Sequence, residues 1–449
     1  IQGINKALID SIAACGDVNR NVLCNTNPVE SALHRQVYED AVAISKHLLP
    51  STSAYHEIWL DKEKIVDFKE EQEPIYGDSY LPRKFKIAVA VPPHNDVDVN
   101  GNDLSFVAIV VDGELKGYDV LAGGGMGSTH GETDTYPQIA KNFGFIVPAD
   151  VCKVAEAVVT TQRDFGDRTN RKHARLKYTI DDMSVDVFKG HVEERSGVTF
   201  AAAEPYEFTM HSDRFGWTEN ADGTWNLTLF IEHGRIHDHE DGPQMLTGLL
   251  KIADVHGGDF RMTATQNLII AQVEVSKKAE VEQLAREHGL LRDVSVLRQN
   301  SMACVALPTC ALAMAEAERY LPDLITKLEA MVEKNGLADQ PIVIRMTGCP
   351  NGCARPFLAE IAFVGKAPGK YNLYLGGDGK GTRLVKLYRE NIGEEEILET
   401  LEPLIESYAK EREKGEGFGD YLVRTQVVPA IHDGRDFHKN PEGYLSSGI

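Results

Sequence analysis

The sequence has no apolar run of about 18 residues, the length that a helix needs to cross a bilayer. It is also short of positive charge, with 47 Lys plus Arg against 68 Asp plus Glu and a formal net charge of -21. Such a charge repels nucleic acid and anionic membrane surfaces. The sequence therefore predicts neither as a partner, and any anion that the protein binds must meet a local cluster of cations.

Cysteine is scarce as well. The 7 cysteines in 449 residues are an odd number and thinly spread, which argues against a disulfide framework and predicts a cytoplasmic chain with reduced thiols. We interpret Cys15, Cys24 and Cys152 as buried small apolar residues. Residues 1–16 show no signal-peptide pattern and read as part of a helix. The glycine-rich segment 123–127 lacks the G-x-G-x-x-G pattern and no Walker motif is present, so a nucleotide-binding fold is not predicted.

Apolar patterning predicts an α+β fold in three domains, at residues 1–215, 216–289 and 290–449. In the first domain we predict helices at 28–60, 149–163 and 166–183, and strands near 85–91 and 104–122. The second domain has the strand and helix alternation of a ferredoxin-like half-domain, with one long strand at 259–275. In the third domain a helix approaching Pro322 is interrupted there, and an acidic amphipathic helix is predicted at 394–413.

Segments of the first and third domains match in the same order. RKFKIAVAV corresponds to PIVIRMTG, the turn HNDVD to PNGCA, DLSFVAIVV to LAEIAFVG, and GYDVLAGGGMGS to KYNLYLGGDGKG. This predicts an internal repeat at the scale of a domain. One copy carries cysteines and the other carries Arg83, Lys84 and Lys86, so the two copies divide the chemistry.

Four cysteines form two close pairs with spacings C-x5-C and C-x3-C: Cys304, Cys310, Cys349 and Cys353. Four soft thiolates suit an iron-sulfur cluster or a zinc ion. The five-residue gap and the wide separation of the pairs favour a cubane held by two loops. From spacing alone, a zinc site and purely structural thiols remain open.

Two groups of basic residues stand out against the acidic background. Lys84 and Lys86 share one face of a predicted strand while Arg83 points to the other, which indicates an anion pocket or a solvated edge strand. Arg20 is an isolated cation. The segment 168–177 is predicted as a basic helix with a largely solvated face, formed by Arg168, Arg171, Lys172 and Arg175.

The motifs MACVALPTC, TGCPNGC, LPRKFKIAV and FRMTATQNLII together resemble the sirohaem and [4Fe-4S] sulfite and nitrite reductase family. Along nearly the whole chain, the resemblance is to the assimilatory branch that works with an NADPH-dependent flavoprotein. It implies six-electron reduction of sulfite to hydrogen sulfide for cysteine biosynthesis. It also implies two related sirohaem and Fe-S-type α/β domains that flank the ferredoxin-like half-domain. A sirohaem nitrite reductase or a ferredoxin-dependent sulfite reductase is the alternative, and a non-catalytic Fe-S or zinc protein is a third hypothesis.

The resemblance further implies which residues hold the cofactors. The four paired cysteines would ligate a [4Fe-4S] cluster, and the thiolate of Cys353 would also bridge to the sirohaem iron. The substrate face would be lined by Arg20, Lys84 and Lys86. Sirohaem would be contacted by Arg83, Gly123, Gly124, Gly125, Asn351 and Arg355. The basic segment 168–177 would face carboxylates of the macrocycle.

The implied partners are sulfite and the flavoprotein, in a complex of alpha8-beta4 type, and NADPH, FAD and FMN would act only through that flavoprotein. Family members also begin with a first half-repeat equivalent to residues 216–289, which this sequence lacks. We therefore expect the sequence either to be a fragment or to lack the partner of its half-domain, together with one further substrate-facing arginine.

Overall fold

The described strands form two five-stranded sheets, one four-stranded sheet and a two-stranded ribbon. The computed structural model describes residues 18–51, 58–60, 63–66 and 73–439. Cys15, the helix predicted at 1–16 and residues 52–57 of the predicted helix at 28–60 lie outside the described residues. The α+β fold is confirmed.

The first sheet has the strand order β1-β4-β5-β6-β7. Its strands are β1 (Asn19–Cys24), β4 (Phe85–Ala90), β5 (Leu104–Val111), β6 (Glu114–Ala122) and β7 (Lys141–Ile146), while β2 (Ile58–Leu60) pairs with β3 (Glu63–Val66). The helices of this part are α1 (Ala32–His47), α2 (Val151–Phe165), α3 (Leu176–Met183) and α4 (Val185–Ser196). Apolar side chains of α2 and of the sheet share one buried core, which fixes the helix against the strands.

The second sheet has the order β10-β11-β9-β8 and is covered by two helices that contribute to its apolar core. Its elements are β8 (Gly216–Glu219), β9 (Trp225–Leu229), α5 (Met245–Val255), β10 (Asp259–Met262), β11 (Leu268–Val273) and α6 (Val275–Glu287). The single strand predicted at 259–275 is wrong, because β10 and β11 form a hairpin. The hydroxyl of Thr263 accepts the backbone N–H of Asn267 at 3.0 Å, the backbone N–H of Thr263 donates to the carbonyl of Asn267 at 2.9 Å, and Gln266 takes a positive φ of 71°.

The third sheet has the order β12-β13-β14-β15-β16. Its elements are α7 (Val296–Gln299), β12 (Ser301–Ala303), α8 (Leu321–Lys334), β13 (Ile344–Thr347), β14 (Ile361–Ala367), β15 (Lys370–Leu375), β16 (Lys386–Ile392), α9 (Glu394–Glu411) and α10 (Phe418–Arg424). Pro322 does not interrupt a helix as predicted; it stands in the first turn of α8, where a missing N–H costs nothing. Short 3-10 turns lie at Val99–Gly101, Pro148–Asp150, Glu232–Gly234, Pro356–Leu358 and Gly434–Asp436. None of the helices in the described ranges is long and apolar enough to cross a membrane.

We call the parts built on the three large sheets the first, second and third units, in chain order. Two helix predictions in the first unit are corrected. The helix predicted at 28–60 covers only Ala32–His47, because Ser31 caps its start by accepting the N–H of His34 at 3.2 Å and the helix ends at Leu48. The helix predicted at 166–183 begins only at Leu176. Before it, a side-chain oxygen of Asp167 accepts backbone N–H groups at 2.7 and 3.0 Å, and this local turn replaces the helical bonds.

The predicted internal repeat is confirmed by the two five-stranded sheets. In each sheet the first three strands are parallel and the last two antiparallel, in the same order. Ile87 pairs with Leu104 in one sheet and Ile344 pairs with Ile361 in the other. This register equates the connection 91–103 with 348–360, and it shifts the predicted match of the two turns by one residue.

Equivalent residues of the two connections meet across the repeat. Asp98 and Arg355 each precede a 3-10 turn in the left-handed conformation, with φ of 48° and 51°, and the Nε of Arg355 donates to the carboxylate of Asp98. The same carboxylate accepts the guanidinium of Arg345 at 2.7 and 3.1 Å and lies 3.3 Å from the Nδ1 of His211. Burial opposes the charge of Asp98, but the two arginines outweigh it and hold its pKa well below its usual range.

Replacing Asp98 with asparagine is expected to destabilise the protein by about 3–5 kcal/mol, because the buried guanidinium of Arg345 loses its carboxylate. Asparagine tolerates the left-handed backbone, so the change tests the charge rather than the conformation. Urea unfolding of this variant should be compared with that of Asp241→Asn, which changes an exposed carboxylate. Equal unfolding free energies in the two variants would contradict a stabilising role for this ion cluster.

Candidate functional site

The four paired cysteines converge at one edge of the third sheet. Strands β12 and β13 are parallel neighbours, so the residues that follow them meet at the same edge. Cys304 follows β12 directly, and its Sγ accepts the backbone N–H of Gly348 at 3.3 Å and the hydroxyl of Thr347 at 3.4 Å. Donors of this kind to a thiolate sulfur are the groups that tune iron-sulfur clusters.

The thiols are close enough to influence one another's ionisation. Burial raises the pKa of Cys349, an N–H of Asn351 lowers it, and the other three paired cysteines raise it further. Burial also raises the pKa of Cys353, and charge on Cys304 and Cys310 acts in the same direction. Four thiolates held together without a counter-charge repel, so the arrangement suits a cationic centre among them.

The loops that carry these thiols are packed without spare room. A Cβ at Gly348 would lie 2.6 Å from the Cβ of Ala306 and 2.8 Å from the carbonyl oxygen of Ala315. A Cβ at Gly365, on the next strand, would lie 2.4 Å from the carbonyl oxygen of Gly348. Glycine at both positions therefore lets the two cysteine loops meet.

No three His, Cys, Asp or Glu side chains in the described part of the chain stand close enough to surround one metal ion. That finding does not bear on a cubane, because each of its four thiolates binds a different iron atom. The donor set fits such a cluster, since it consists of four soft sulfurs on two loops with hydrogen bonds to one of them.

Cys353 differs from Cys349 in its surroundings. Cys349 is only 7% exposed, whereas the side chain of Cys353 reaches the surface. The ammonium groups of Lys84 and Lys86 lie near enough to lower the pKa of the Cys353 thiol against the effect of its burial. An accessible thiolate beside cations has the chemistry of an axial ligand to the iron of an anionic macrocycle.

The predicted substrate-facing cations are brought together from two adjacent strands. Arg20 lies in β1, which pairs in parallel with β4 from Asn19 opposite Phe85, and Lys84 and Lys86 flank Phe85. Burial lowers the pKa of Lys84, and the charges of Arg20 and other arginines lower it further. These cations and Cys353 therefore border one surface, although they are far apart in sequence.

Lys86 is the more perturbed of the two lysines. Burial lowers its pKa to about 8, and the charge of Arg175 contributes in the same direction while Asp103 opposes it. The backbone N–H of Lys86 donates to the Asp103 carboxylate at 3.0 Å. A lysine with this pKa exchanges protons near neutral pH more readily than an ordinary one.

Arg175 also belongs to this cluster of cations. The sequence analysis placed it only on the basic segment 168–177 and did not predict that it lies near Lys86. Its guanidinium binds the buried carboxylate of Asp103 with contacts of 2.8, 2.8 and 3.1 Å. The helix predicted at 168–177 is wrong, because the segment is not helical before Leu176. The predicted exposure is confirmed for Arg168, Arg171 and Lys172, whereas Arg175 is partly buried. Arg168 donates to the carbonyl of Tyr80 at 2.6 Å, while Lys172 pairs with Glu132 at the surface. The spacing of the basic residues suggested a helix. The sequence Asp-Arg-Thr-Asn at 167–170, which is typical of a turn, was the signal that could have corrected this prediction.

The remaining predicted contacts lie in the cysteine turn, just after it, or beside Lys84. Asn351 is exposed within it, and Arg83 is partly buried beside Lys84. Arg355 is held by Asp98 and also donates to the carbonyl of Ala264 at 2.8 Å, leaving 22% of its side chain exposed. Its position is therefore fixed by protein contacts.

The glycine loop, residues 123–127, is buried between the two units. The N–H groups of Gly123 and Gly125 donate to the carbonyls of Asp103 and Gln138, both at 2.8 Å. A Cβ at Gly124 would lie 2.4 Å from two carbonyl oxygens of the 100–102 segment. Close packing of backbone on backbone therefore explains these glycines, whichever ligand the loop meets.

Family models match two segments of the chain. The nitrite and sulphite reductase 4Fe-4S domain matches residues 40–200, and the nitrite/sulfite reductase ferredoxin-like half domain matches residues 218–288. The first match covers strands β4 to β7 of the first five-stranded sheet with Lys84 and Lys86, and the second covers nearly all of the four-stranded sheet with its helices.

Curated relatives align with nearly the whole chain. A sulfite reductase [NADPH] hemoprotein beta-component of Oceanobacillus iheyensis is 57% identical over 448 residues, which are 99% of this chain and 77% of the relative. A protein of the same name from Shewanella sp. strain ANA-3 is 60% identical over 441 residues, 98% of this chain and 78% of the relative. Among solved structures, the Mycobacterium tuberculosis NirA protein superimposes with a TM-score of 0.72 at 25% identity, covering 92% of this chain and 71% of NirA.

Proposed function

The chain belongs to the nitrite and sulfite reductase family, and from that premise we propose a role for each residue of the thiol and cation site. Its reaction is the six-electron reduction of sulfite to hydrogen sulfide in the assimilatory direction, which supplies cysteine biosynthesis. Its cofactors are sirohaem and a [4Fe-4S] cluster. When bound, these groups supply the open iron coordination position and the adjacent electron donor that a six-electron reduction requires.

The cluster ligands in this proposal are Cys304, Cys310, Cys349 and Cys353. Their convergence on two tightly packed loops supports the assignment, and it is the single observation that carries the proposal. Cys353 is further proposed as the thiolate shared with the sirohaem iron, because it alone of the paired cysteines is exposed and flanked by lysines. Cys349, buried behind it, is a cluster ligand only.

Arg20, Lys84 and Lys86 are proposed to bind the oxygens of sulfite. Fixed cations aimed at an oxyanion stabilise it most where water is partly excluded, as at the half-buried lysines here. Each oxygen that leaves as water needs protons, and the Nζ of Lys86, with a pKa of about 8, holds a proton that it can deliver at neutral pH. We add Arg175 to this set as a cation that stays near Lys86 because Asp103 anchors it.

The sirohaem contacts in this proposal are Arg83, Gly123, Gly124, Gly125, Asn351 and Arg355. Asn351 lies in the cysteine turn and Arg355 follows it, Arg83 lies beside Lys84, and the glycine loop leads into Gly127 and Ser128, which contact the turn; these positions support the assignment. Arg355 would meet the macrocycle from a position fixed by Asp98. We also propose that the chain divides functionally at 1–215, 216–289 and 290–449, with the substrate cations in the first domain and the cluster in the third.

The electrons come from NADPH through a flavoprotein alpha-component, as the names of the relatives imply. We propose that FAD and FMN act only within that partner and that the complex is of alpha8-beta4 type. Six described cysteines are free, and this supports a proposed location in the reducing cytoplasm. The net charge of -21 supports the absence of nucleic acid and membrane partners.

The purified chain should show the Soret and red bands of an isobacteriochlorin, with iron and acid-labile sulfide in a ratio of about 5:4 for a cubane and one haem. With one artificial electron donor, sulfide formation from sulfite and ammonia formation from nitrite should be compared directly. A colourless protein that contains zinc would refute the proposal. A clear preference for nitrite would instead assign the chain to the nitrite-reducing side of the family.

A further inference from the structure

Lys177 is a fully buried cation that the reaction described above does not use. Only 2% of the residue is exposed, in the first turn of α3. Its Nζ donates to the carbonyl oxygens of Gly127 at 2.7 Å and Gly125 at 3.2 Å, and also to that of Tyr136. The ammonium group has three donors and meets three backbone acceptors, so its hydrogen bonding is complete.

The loop that Lys177 holds contacts the cysteine turn on its other side. The N–H of Ser128 donates to the carbonyl oxygen of Pro350 at 2.9 Å. A Cβ at Gly352 would lie 2.9 Å from the carbonyl oxygen of Met126, and one at Gly127 would lie 3.3 Å from that of Asn351. The first unit thus touches the segment between Cys349 and Cys353 with its backbone, and the hydroxyl of Ser128 adds a weaker contact of 3.5 Å to the Pro350 carbonyl.

A buried lysine at this place has a cost that an apolar residue would not have. Burial lowers the pKa of Lys177 well below its usual range, and Arg175 lowers it further while Asp103 and Asp181 oppose both. The ring of Tyr178 lies 4.8 Å from the Nζ and compensates part of the desolvation. Without the ammonium group, the carbonyls of Gly127 and Tyr136 would lose this donor, and that of Gly125 would keep the N–H of Gln138, so a merely apolar side chain does not suit the position.

We propose that Lys177 is a positioning residue for the cysteine turn: by fixing the loop 123–127 it holds Cys349 and Cys353 where cluster and sirohaem meet. The inference rests on the proposed ligand role of Cys353. Lys177 itself touches neither thiol; it acts through the backbone of Gly127, Ser128 and Pro350. A first-unit residue therefore controls the geometry of ligands in the third unit.

Thiol reactivity of the cofactor-free full chain tests this link without any cofactor signal. In Lys177→Met, alkylation of Cys349 by iodoacetamide should rise about tenfold relative to alkylation of Cys310, which lies on the other loop. A tenfold rise in this ratio corresponds to a loss of about 1.4 kcal/mol in the free energy that keeps the cysteine turn closed. The control is Lys172→Met, an exposed lysine of the same segment, for which the ratio should not change.

A purely structural role would raise the reactivity of Cys349 and Cys310 in parallel, and that result, or an unchanged ratio, would overturn the proposal. If Lys177→Met does not fold, Gly127→Ala tests the same contact from the loop side, and the ratio should again rise. In the loaded enzyme, Lys177→Met should alter the spectroscopic coupling of the two centres. Cys353→Ser tests the ligand role of Cys353 separately. If that role were wrong, the ratio of Cys349 to Cys310 alkylation in the cofactor-free chain would still respond to Lys177→Met.

Discussion

Replacing Cys353 with serine is expected to abolish sulfite reduction while the fold persists. Serine is smaller and similar in shape, but its hydroxyl is not a soft anionic ligand, so the sulfur that we propose cluster and sirohaem share would be lost. Electrons that reach the cluster could then no longer pass directly to the macrocycle. Sulfide formation should fall to the background of the assay, and the magnetic coupling of the two centres should disappear from the spectrum.

The matched control is Cys152→Ser, which changes a partly buried cysteine at the start of α2. Both variants should show similar unfolding by circular dichroism in their cofactor-free forms, because neither serine fills or empties a large space. Retained sulfite reduction in Cys353→Ser would contradict the shared ligand. Equal loss of activity in Cys152→Ser would show that the effect is not specific to the site.

Replacing Lys86 with alanine is expected to lower kcat for sulfite about 100- to 1000-fold, the usual effect of removing one donor that stabilises an oxyanion. The cofactor spectrum should stay largely unchanged, since the proposal places Lys86 against substrate rather than macrocycle. Lys84→Ala should act in the same direction. Lys116→Ala is the control, because that lysine lies at the surface in an ion pair with Glu204. Loss of sirohaem from Lys86→Ala would reassign this lysine as a cofactor contact.

The pH dependence follows from the pKa of Lys86, which is about 8. Below that pH the side chain is protonated and can both bind the oxyanion and supply a proton; above it the proton is lost. Activity of the parent enzyme should therefore fall as the pH rises through about 8. The residual activity of Lys86→Ala should lack this step, and an identical step in both proteins would exclude Lys86 as its source.

The repeat and the paired cysteines were readable from the sequence for a physical reason. Strand alternation and cysteine spacing are local patterns, so they can be recognised without knowledge of the tertiary contacts. The repeat matched residue types in order, and only the turn match was displaced, by one residue. Two of the predictions that failed, at 166–183 and 259–275, were those in which the side chain of Asp167 or Thr263 forms a turn that competes with regular structure.

By itself, the sequence determined the α+β fold class, the cysteine pairs and the basic residues at 83–86, because these depend on composition and short-range periodicity. Only the tertiary structure decided which distant residues meet. It placed Arg175 beside Lys86 through Asp103, paired Asp98 with Arg355 across the repeat, and buried Lys177 under the loop that touches the cysteine turn. The Asp98–Arg355 contact arises from the packing of the two repeats against each other, and the other two arise from the packing of distant segments within the first repeat. No short-range pattern encodes the partner that such packing selects.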